Sequence, residues 1–102
     1  MSDIRDIQPQ SCFYHSRGLR LHYLDWGNIG APVLILLHGG LEHARVWDQL
    51  ARQLCSDWHV VVPDLRGHGD SEWSSGGAYS IVDMVPDLAA LLAELGDPVI
   101  HL

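Results

Sequence analysis

Two glycine-rich turns hold the groups of this chain that could do chemistry. The first is His-Gly-Gly at residues 38–40, directly after the apolar run 33–37. The second covers residues 64–71 and comes soon after the apolar run 59–62. In acyl transfer a carbonyl oxygen gains negative charge, and one backbone N–H aimed at it lowers the barrier by about 3 kcal/mol. Glycine lets the backbone approach that closely, so these turns could serve such a reaction.

The two turns follow predicted strands of an α/β domain. The apolar runs 33–37 and 59–62 predict buried strands of a parallel sheet. Apolar residues recur at helical spacing over 44–54, and a leucine stripe over 88–95 predicts a second helix. With the apolar segment 98–102, this gives the strand-helix-strand-helix-strand order of parallel βαβ units. Alternating residues at 12–15 and 19–25 predict a β-hairpin at the leading edge of the sheet.

The start of the second helix has two possible positions. Ser80 and Asp83 have the spacing of a capping box, which would begin the helix at Ser80. Pro86 opposes this, because a proline inside a helix removes a backbone hydrogen bond and costs about 3 kcal/mol. The helix therefore either kinks at Pro86 or has this proline in its first turn. We favour the second arrangement, with a separate turn over residues 80–85.

The two turns together resemble the α/β-hydrolase superfamily. Residues 64–71, Asp-Leu-Arg-Gly-His-Gly-Asp-Ser, match that family's Asp-x-Arg-Gly-x-Gly-x-Ser turn after the fourth strand, and residues 38–40 match its turn after the third. The resemblance implies the N-terminal portion of an α/β-hydrolase fold: a β-hairpin followed by parallel βαβαβ. Residues 1–10 would be a lead-in and residues 11–102 the N-terminal half of the domain, truncated before the nucleophile elbow. A dinucleotide-binding turn is disfavoured, because the glycine pattern at 67–72 lacks its third glycine.

The resemblance also assigns roles to single residues. In the family the residue after His-Gly supplies a backbone donor of the oxyanion hole, and here this is Gly40, with Leu41 next. The plain alternative is that the glycines only allow the chain to leave the strand with a positive φ. The loop-structuring residues implied by the same motifs are His38, Gly39, Asp64, Arg66, Gly67, Gly69 and Ser71.

The family's nucleophile is not found in these 102 residues. It lies in a Gly-x-Ser-x-Gly or related turn directly after the strand that 98–102 resembles, and the acid and the histidine base follow later. We therefore expect part of an esterase-like hydrolase that cleaves acyl or related bonds of a small-molecule substrate, inactive by itself, with serine or aspartate as nucleophile. The alternative is a non-catalytic hydrolase-like module or decayed gene product that associates with another chain. Residues Val99 to Leu102 would form an apolar edge strand that favours self-association.

Composition and residue spacing argue against several other classes of function. The net charge is −7, with no block of basic residues, which disfavours nucleic-acid binding. No apolar run approaches the roughly 20 residues of a membrane helix, and the N-terminus lacks a secretion signal, so a cytoplasmic location is predicted. Cys12 and Cys55 form no Cys-x-x-Cys pair, and the seven histidines show no metal-ligand spacing. We expect neither a metal site nor a cofactor.

Overall fold

The computed structural model describes residues 6–38, 42–72, 81–96 and 100–101. Within these ranges the chain forms a five-stranded mixed β-sheet and two α-helices. The strands are β1 (Gln10–Ser16), β2 (Leu19–Asp25), β3 (Val33–Ile35), β4 (His59–Pro63) and β5 (Ile100–His101). The helices are α1 (Asp48–Leu54), directly preceded by a 3₁₀ turn (Ala44–Trp47), and α2 (Ile81–Glu94).

The sheet has the strand order β1-β2-β4-β3-β5. The hairpin β1-β2 is antiparallel and lies at one edge, and β2 also pairs antiparallel with β4. Strand β3 pairs in parallel with β4 on one side and with β5 on the other. The predicted α/β class, with a hairpin followed by parallel strands, is confirmed. Because β3 and β4 are parallel, their C-terminal ends lie at the same end of the sheet.

The two helices cover opposite faces of the sheet, because side chains along each strand point alternately to either side. One face carries Leu21, Ile35 and Val61, which pack with Leu91 of α2. The other face carries residues such as Val60 and Val62 of β4 and packs against Ala51 of α1. All five residues of β4 are buried, as expected for a strand covered on both faces.

Helix α2 continues through Pro86, so the predicted helix start at this proline is wrong. Pro86 lies in the second turn, where the missing N–H costs one bond to the carbonyl of residue 82. Tertiary contacts just beyond the proline offset that loss: Asp87 is held by side chains of other elements and Leu91 is fully buried. Ser80 lies outside the described residues, so the capping box stays a prediction. Among the described helices, none has the length and apolar character to cross a membrane.

Candidate functional site

The carboxylate of Asp64 is the centre of the second turn. It is buried and accepts three hydrogen bonds from three different segments. Oδ1 accepts from the backbone N–H of Ala44 at 2.6 Å. Oδ2 accepts from His22 Nδ1 at 2.7 Å and from the backbone N–H of Asp70 at 3.1 Å. Asp64 therefore joins strand β2 and the start of the 3₁₀ turn to its own loop.

The second turn is also bonded along strand β2. The Ser71 hydroxyl donates to the Asp64 carbonyl at 2.7 Å and accepts from the His22 backbone N–H at 2.8 Å. Glu72 exchanges two bonds with the backbone of Arg20, at 3.0 Å through its own N–H and at 2.7 Å through its carboxylate. At the other end of the turn, the Asp64 N–H donates to the His22 carbonyl at 2.9 Å, so both ends are fixed to one strand.

His38 connects the first turn to the second. Its Nε2 accepts a hydrogen bond from the backbone N–H of Leu65 at 2.9 Å, and its side chain lies against the ring of His68, with 5.2 Å between ring centroids. His68 Nδ1 in turn lies 2.9 Å from the Arg66 carbonyl oxygen. A nitrogen that accepts from a backbone N–H is occupied by that bond, so this geometry suits a structural role better than proton transfer.

The predicted oxyanion donors have described neighbours on both sides. Gly39, Gly40 and Leu41 lie outside the described residues, and their roles stay predictions. His38, directly before them, is bonded to Leu65, and Ala44, shortly after them, is bonded to Asp64. The second turn therefore holds the chain on both sides of the first turn.

Arg66 forms a buried ion pair with Asp87 of α2. Arg66 Nε donates to Oδ2 at 2.6 Å and Nη2 donates to Oδ1 at 2.9 Å, which is the bidentate geometry of a guanidinium with a carboxylate. Ser16 also donates to Oδ1, at 2.6 Å. Burial by itself would raise the pKa of Asp87, but the bonds from Arg66 and Ser16 and the nearby positive charge hold it below its ordinary value. The pair ties the second turn to α2.

Asp87 was not among the residues predicted from the sequence, although the sequence contains a signal for it. Asp87 lies four residues before Leu91, so both occupy the same face of α2. A carboxylate on a buried helix face requires a cation or several donors. The role of His22 had no comparable signal, because its partner Asp64 is 42 residues away, in the turn after β4.

A cavity of about 300 Å³ lies between the turns and α2. Its walls include apolar side chains such as Leu37, Leu65 and Leu88, together with His38 and Tyr14. Burial, followed by the negative charge of Asp87, raises the pKa of Tyr14 well above its ordinary value. Tyr14 therefore contributes a neutral phenol to the cavity wall, which also includes the ion pair of Arg66 and Asp87.

The ligand atoms of His22, Asp64 and Asp70 lie within 4.8 Å of one another, a spacing that could hold a metal ion. His22 and Asp64, however, are hydrogen-bonded to each other at 2.7 Å, and Asp70 is exposed. We therefore interpret these residues as part of the hydrogen-bond network of the second turn. The expectation of no cofactor stays a prediction.

Gly69 is expected to tolerate no side chain, because its backbone has a φ of +51° and a Cβ there would overlap the Asp64 carboxyl group. Gly69→Ala should lower the free energy of unfolding by at least about 2 kcal/mol more than Gly27→Ala. Gly27 is a matched control, with a φ of +84° and no atom within 4 Å of the point where a Cβ would lie. Urea unfolding of both variants measures the difference. Equal losses would show that the Asp64 carboxyl moves away at little cost.

Comparison with known proteins agrees with this geometry. The sequence model of the alpha/beta hydrolase fold family matches residues 32–102. The chain is 38% identical over 78 residues to a 3-hydroxybutyrate-oligomer hydrolase of Cupriavidus necator, covering 74% of this chain and 27% of that protein. It is 36% identical over 80 residues to epoxide hydrolase 4 of Mus musculus, covering 78% of this chain and 22% of that protein.

A solved structure of an alpha/beta hydrolase from Novosphingobium aromaticivorans superposes with a TM-score of 0.78 at 38% sequence identity. The superposition covers 87% of this chain and 32% of that one. The chain thus spans 22% to 32% of the length of these three proteins. With the strand order, the two turns and the matched residues in agreement, the chain belongs to the α/β-hydrolase superfamily.

Proposed function

We propose that this chain forms the oxyanion-hole side of the active site in a hydrolase that cleaves ester or related bonds of a small molecule. The observation that carries the proposal is the double attachment of the segment around residues 39–41. Leu65 N–H holds His38 at 2.9 Å, and the Asp64 carboxylate holds Ala44 N–H at 2.6 Å. Donors that stabilise charge in a transition state act best when their positions are fixed before the reaction.

The chemistry of the proposed site is electrostatic. When a nucleophile attacks an ester carbonyl, the oxygen becomes negatively charged, and the backbone N–H groups of Gly40 and Leu41 would donate to it. The nucleophile, the acid and the histidine base would come from other parts of a complete domain. The two relatives named above are hydrolases of different bonds, a 3-hydroxybutyrate oligomer hydrolase and an epoxide hydrolase. We favour esters, because their carbonyl oxygen is the group that such donors stabilise.

A chimeric enzyme tests this proposal. The aligned segment of the Cupriavidus necator hydrolase would be replaced by this chain, and hydrolysis of a p-nitrophenyl ester would be followed. We expect the chimera to turn over substrate. Leu41→Pro, which lacks the N–H, should lower kcat roughly 10²–10³-fold.

Leu41→Ala is the control for that experiment, since it shortens the side chain and keeps the N–H. It should retain kcat within a few-fold. Circular dichroism would first establish that both variants are folded. If folded Leu41→Pro and Leu41→Ala chimeras had the same kcat, the oxyanion role of this turn would be contradicted.

The position of β5 favours a second candidate, a non-catalytic module that associates with another chain. Among the described residues, β5 lies at the edge of the sheet and pairs only with β3. An unpaired strand edge is a template for a further strand. A folded chimera without esterase activity, together with a dimer of the 102-residue polypeptide in sedimentation analysis, would favour this candidate over the hydrolase.

A further inference from the structure

A second group of reactive side chains lies on the hairpin, outside the segment 38–44. The Ser11 hydroxyl on β1 is hydrogen-bonded to Nε2 of His22 on β2. His22 Nδ1 lies 2.7 Å from Oδ2 of Asp64. A serine, a histidine and an aspartate are therefore bonded in series, which is the arrangement of an activated serine nucleophile.

The bonds to Asp64 determine which nitrogen of His22 carries the proton. A carboxylate only accepts, so Nδ1 donates to it, and in the neutral imidazole Nε2 is then the nitrogen with a free lone pair for the Ser11 hydroxyl. Asp64 is itself held by the N–H groups of Ala44 and Asp70. The orientation of the imidazole thus depends on a fixed and buried partner.

The base and the nucleophile differ in their exposure to solvent. The His22 and Asp64 residues are only 2% and 3% exposed, whereas Ser11 is exposed on the edge strand. The Phe13 ring contacts the His22 ring, with 5.1 Å between centroids, and the Arg20 guanidinium lies 3.7 Å above the Phe13 ring. Water is therefore excluded from the base, while a reagent can reach the Ser11 hydroxyl from solvent.

We propose that Ser11, with His22 as general base and Asp64 as the orienting carboxylate, is a nucleophile toward acyl and phosphonyl donors that carry a good leaving group. Ser11 Oγ forms the new bond to the carbonyl carbon or phosphorus, and its proton passes to His22 Nε2. The bond to the leaving group breaks, and the leaving group departs with the electron pair. Asp64 stabilises the imidazolium, whose Nε2 proton then passes to the leaving group. The product is one covalently modified Ser11.

Labelling with a fluorophosphonate tests the proposal on the unaltered chain. Its phosphorus bonds to the attacking hydroxyl and fluoride leaves. General-base assistance contributes about 10²–10⁴-fold, so Ser11 should be labelled at least about 100-fold faster than Ser56. Ser56 is exposed, and its hydroxyl bonds only weakly to the Gln53 carbonyl, at 3.5 Å. Mass spectrometry of proteolytic peptides gives the rate at each serine.

Three variants complete the test. Ser11→Ala should lose the fast label, and so should His22→Gln in protein that circular dichroism shows to be folded. His59→Gln is the matched control, since it removes another buried histidine that is bonded to an aspartate, Asp25, at 2.9 Å. It should keep the fast label. Equal labelling of Ser11 and Ser56 in the unaltered chain, or fast labelling that persists in folded His22→Gln, would overturn the proposal. The Ser11 and Ser56 rates decide it even if His22→Gln fails to fold.

Discussion

Replacing Asp64 by alanine is expected to lower the free energy of unfolding by about 3–5 kcal/mol, because several buried donors lose their acceptor at once. The N–H of Ala44 and His22 Nδ1 are bonded to this carboxylate at 2.6 and 2.7 Å, in a region that water does not reach. Each buried donor left without a partner costs about 1–3 kcal/mol. Urea unfolding followed by tryptophan fluorescence measures the loss.

Two further variants serve as controls for this measurement. Asp64→Asn keeps one acceptor oxygen and the shape of the side chain. It should therefore lower the free energy of unfolding by less than Asp64→Ala does. Asp57→Ala removes an exposed carboxylate after α1 and should change stability by less than about 0.5 kcal/mol. A loss below about 1 kcal/mol for Asp64→Ala would mean that the other bonds of the second turn, including those of Ser71, Glu72 and Arg66, hold it without this carboxylate.

Replacing Arg66 by alanine should have an effect of similar size, about 3–5 kcal/mol at neutral pH, because it removes the bidentate cation from the buried Asp87 carboxylate. The remaining cation, Arg17, is half-exposed and lies 3.5 Å from Asp87 Oδ1. The side chains of Arg66 and Asp87 are 4% and 7% exposed, so solvent screens the charge poorly. A double variant, Arg66→Met with Asp87→Leu, should recover much of the loss, since it removes the unpaired charge as well. Thermal or urea unfolding of the single and double variants measures both effects.

The loss of unfolding free energy caused by Arg66→Ala should also depend on pH, and it should be smaller in acid. The pKa of Asp87 is lower in the folded chain than its ordinary value of 3.8, so its stabilising contribution is complete above that value. The contribution is lost as the pH falls below 3.8 and through the lower pKa of the folded state. In Arg66→Ala the buried Asp87 takes up a proton more readily, and its unfavourable charge disappears in acid. The stability difference between the two proteins should therefore narrow as the pH is lowered through this range. A constant difference would contradict the assignment to Asp87.

The strands of this fold could be predicted because their pattern is local. Three consecutive valines at 60–62 are typical of a strand that is buried on both faces, and helices do cover both faces of β4. The start of α2 could not be predicted in the same way. Its path through Pro86 depends on Asp87 being held from outside the helix, and those partners lie far away in the chain.

The candidate site could be predicted to the level of its motifs. The two turns contain His38, Asp64, Arg66 and Ser71, and the structure places all four around the second turn. Their partners could not be named, because a hydrogen bond between side chains of different elements leaves no periodic signal. Ser11 and His22 illustrate this, since neither stands in a recognisable motif and they meet only through the antiparallel pairing of β1 and β2.

The bonds of Asp64 have a consequence for the order in which the chain can fold during synthesis. Every donor to this carboxylate described above belongs to residues 22–70, so the bonds can form once strand β4 and the following turn have left the ribosome. The ion pair of Arg66 can form only after Asp87, 21 residues later in the chain, has also been synthesised. The nascent chain can therefore assemble the second turn against β2 first, and α2 then docks onto a surface that already presents its guanidinium.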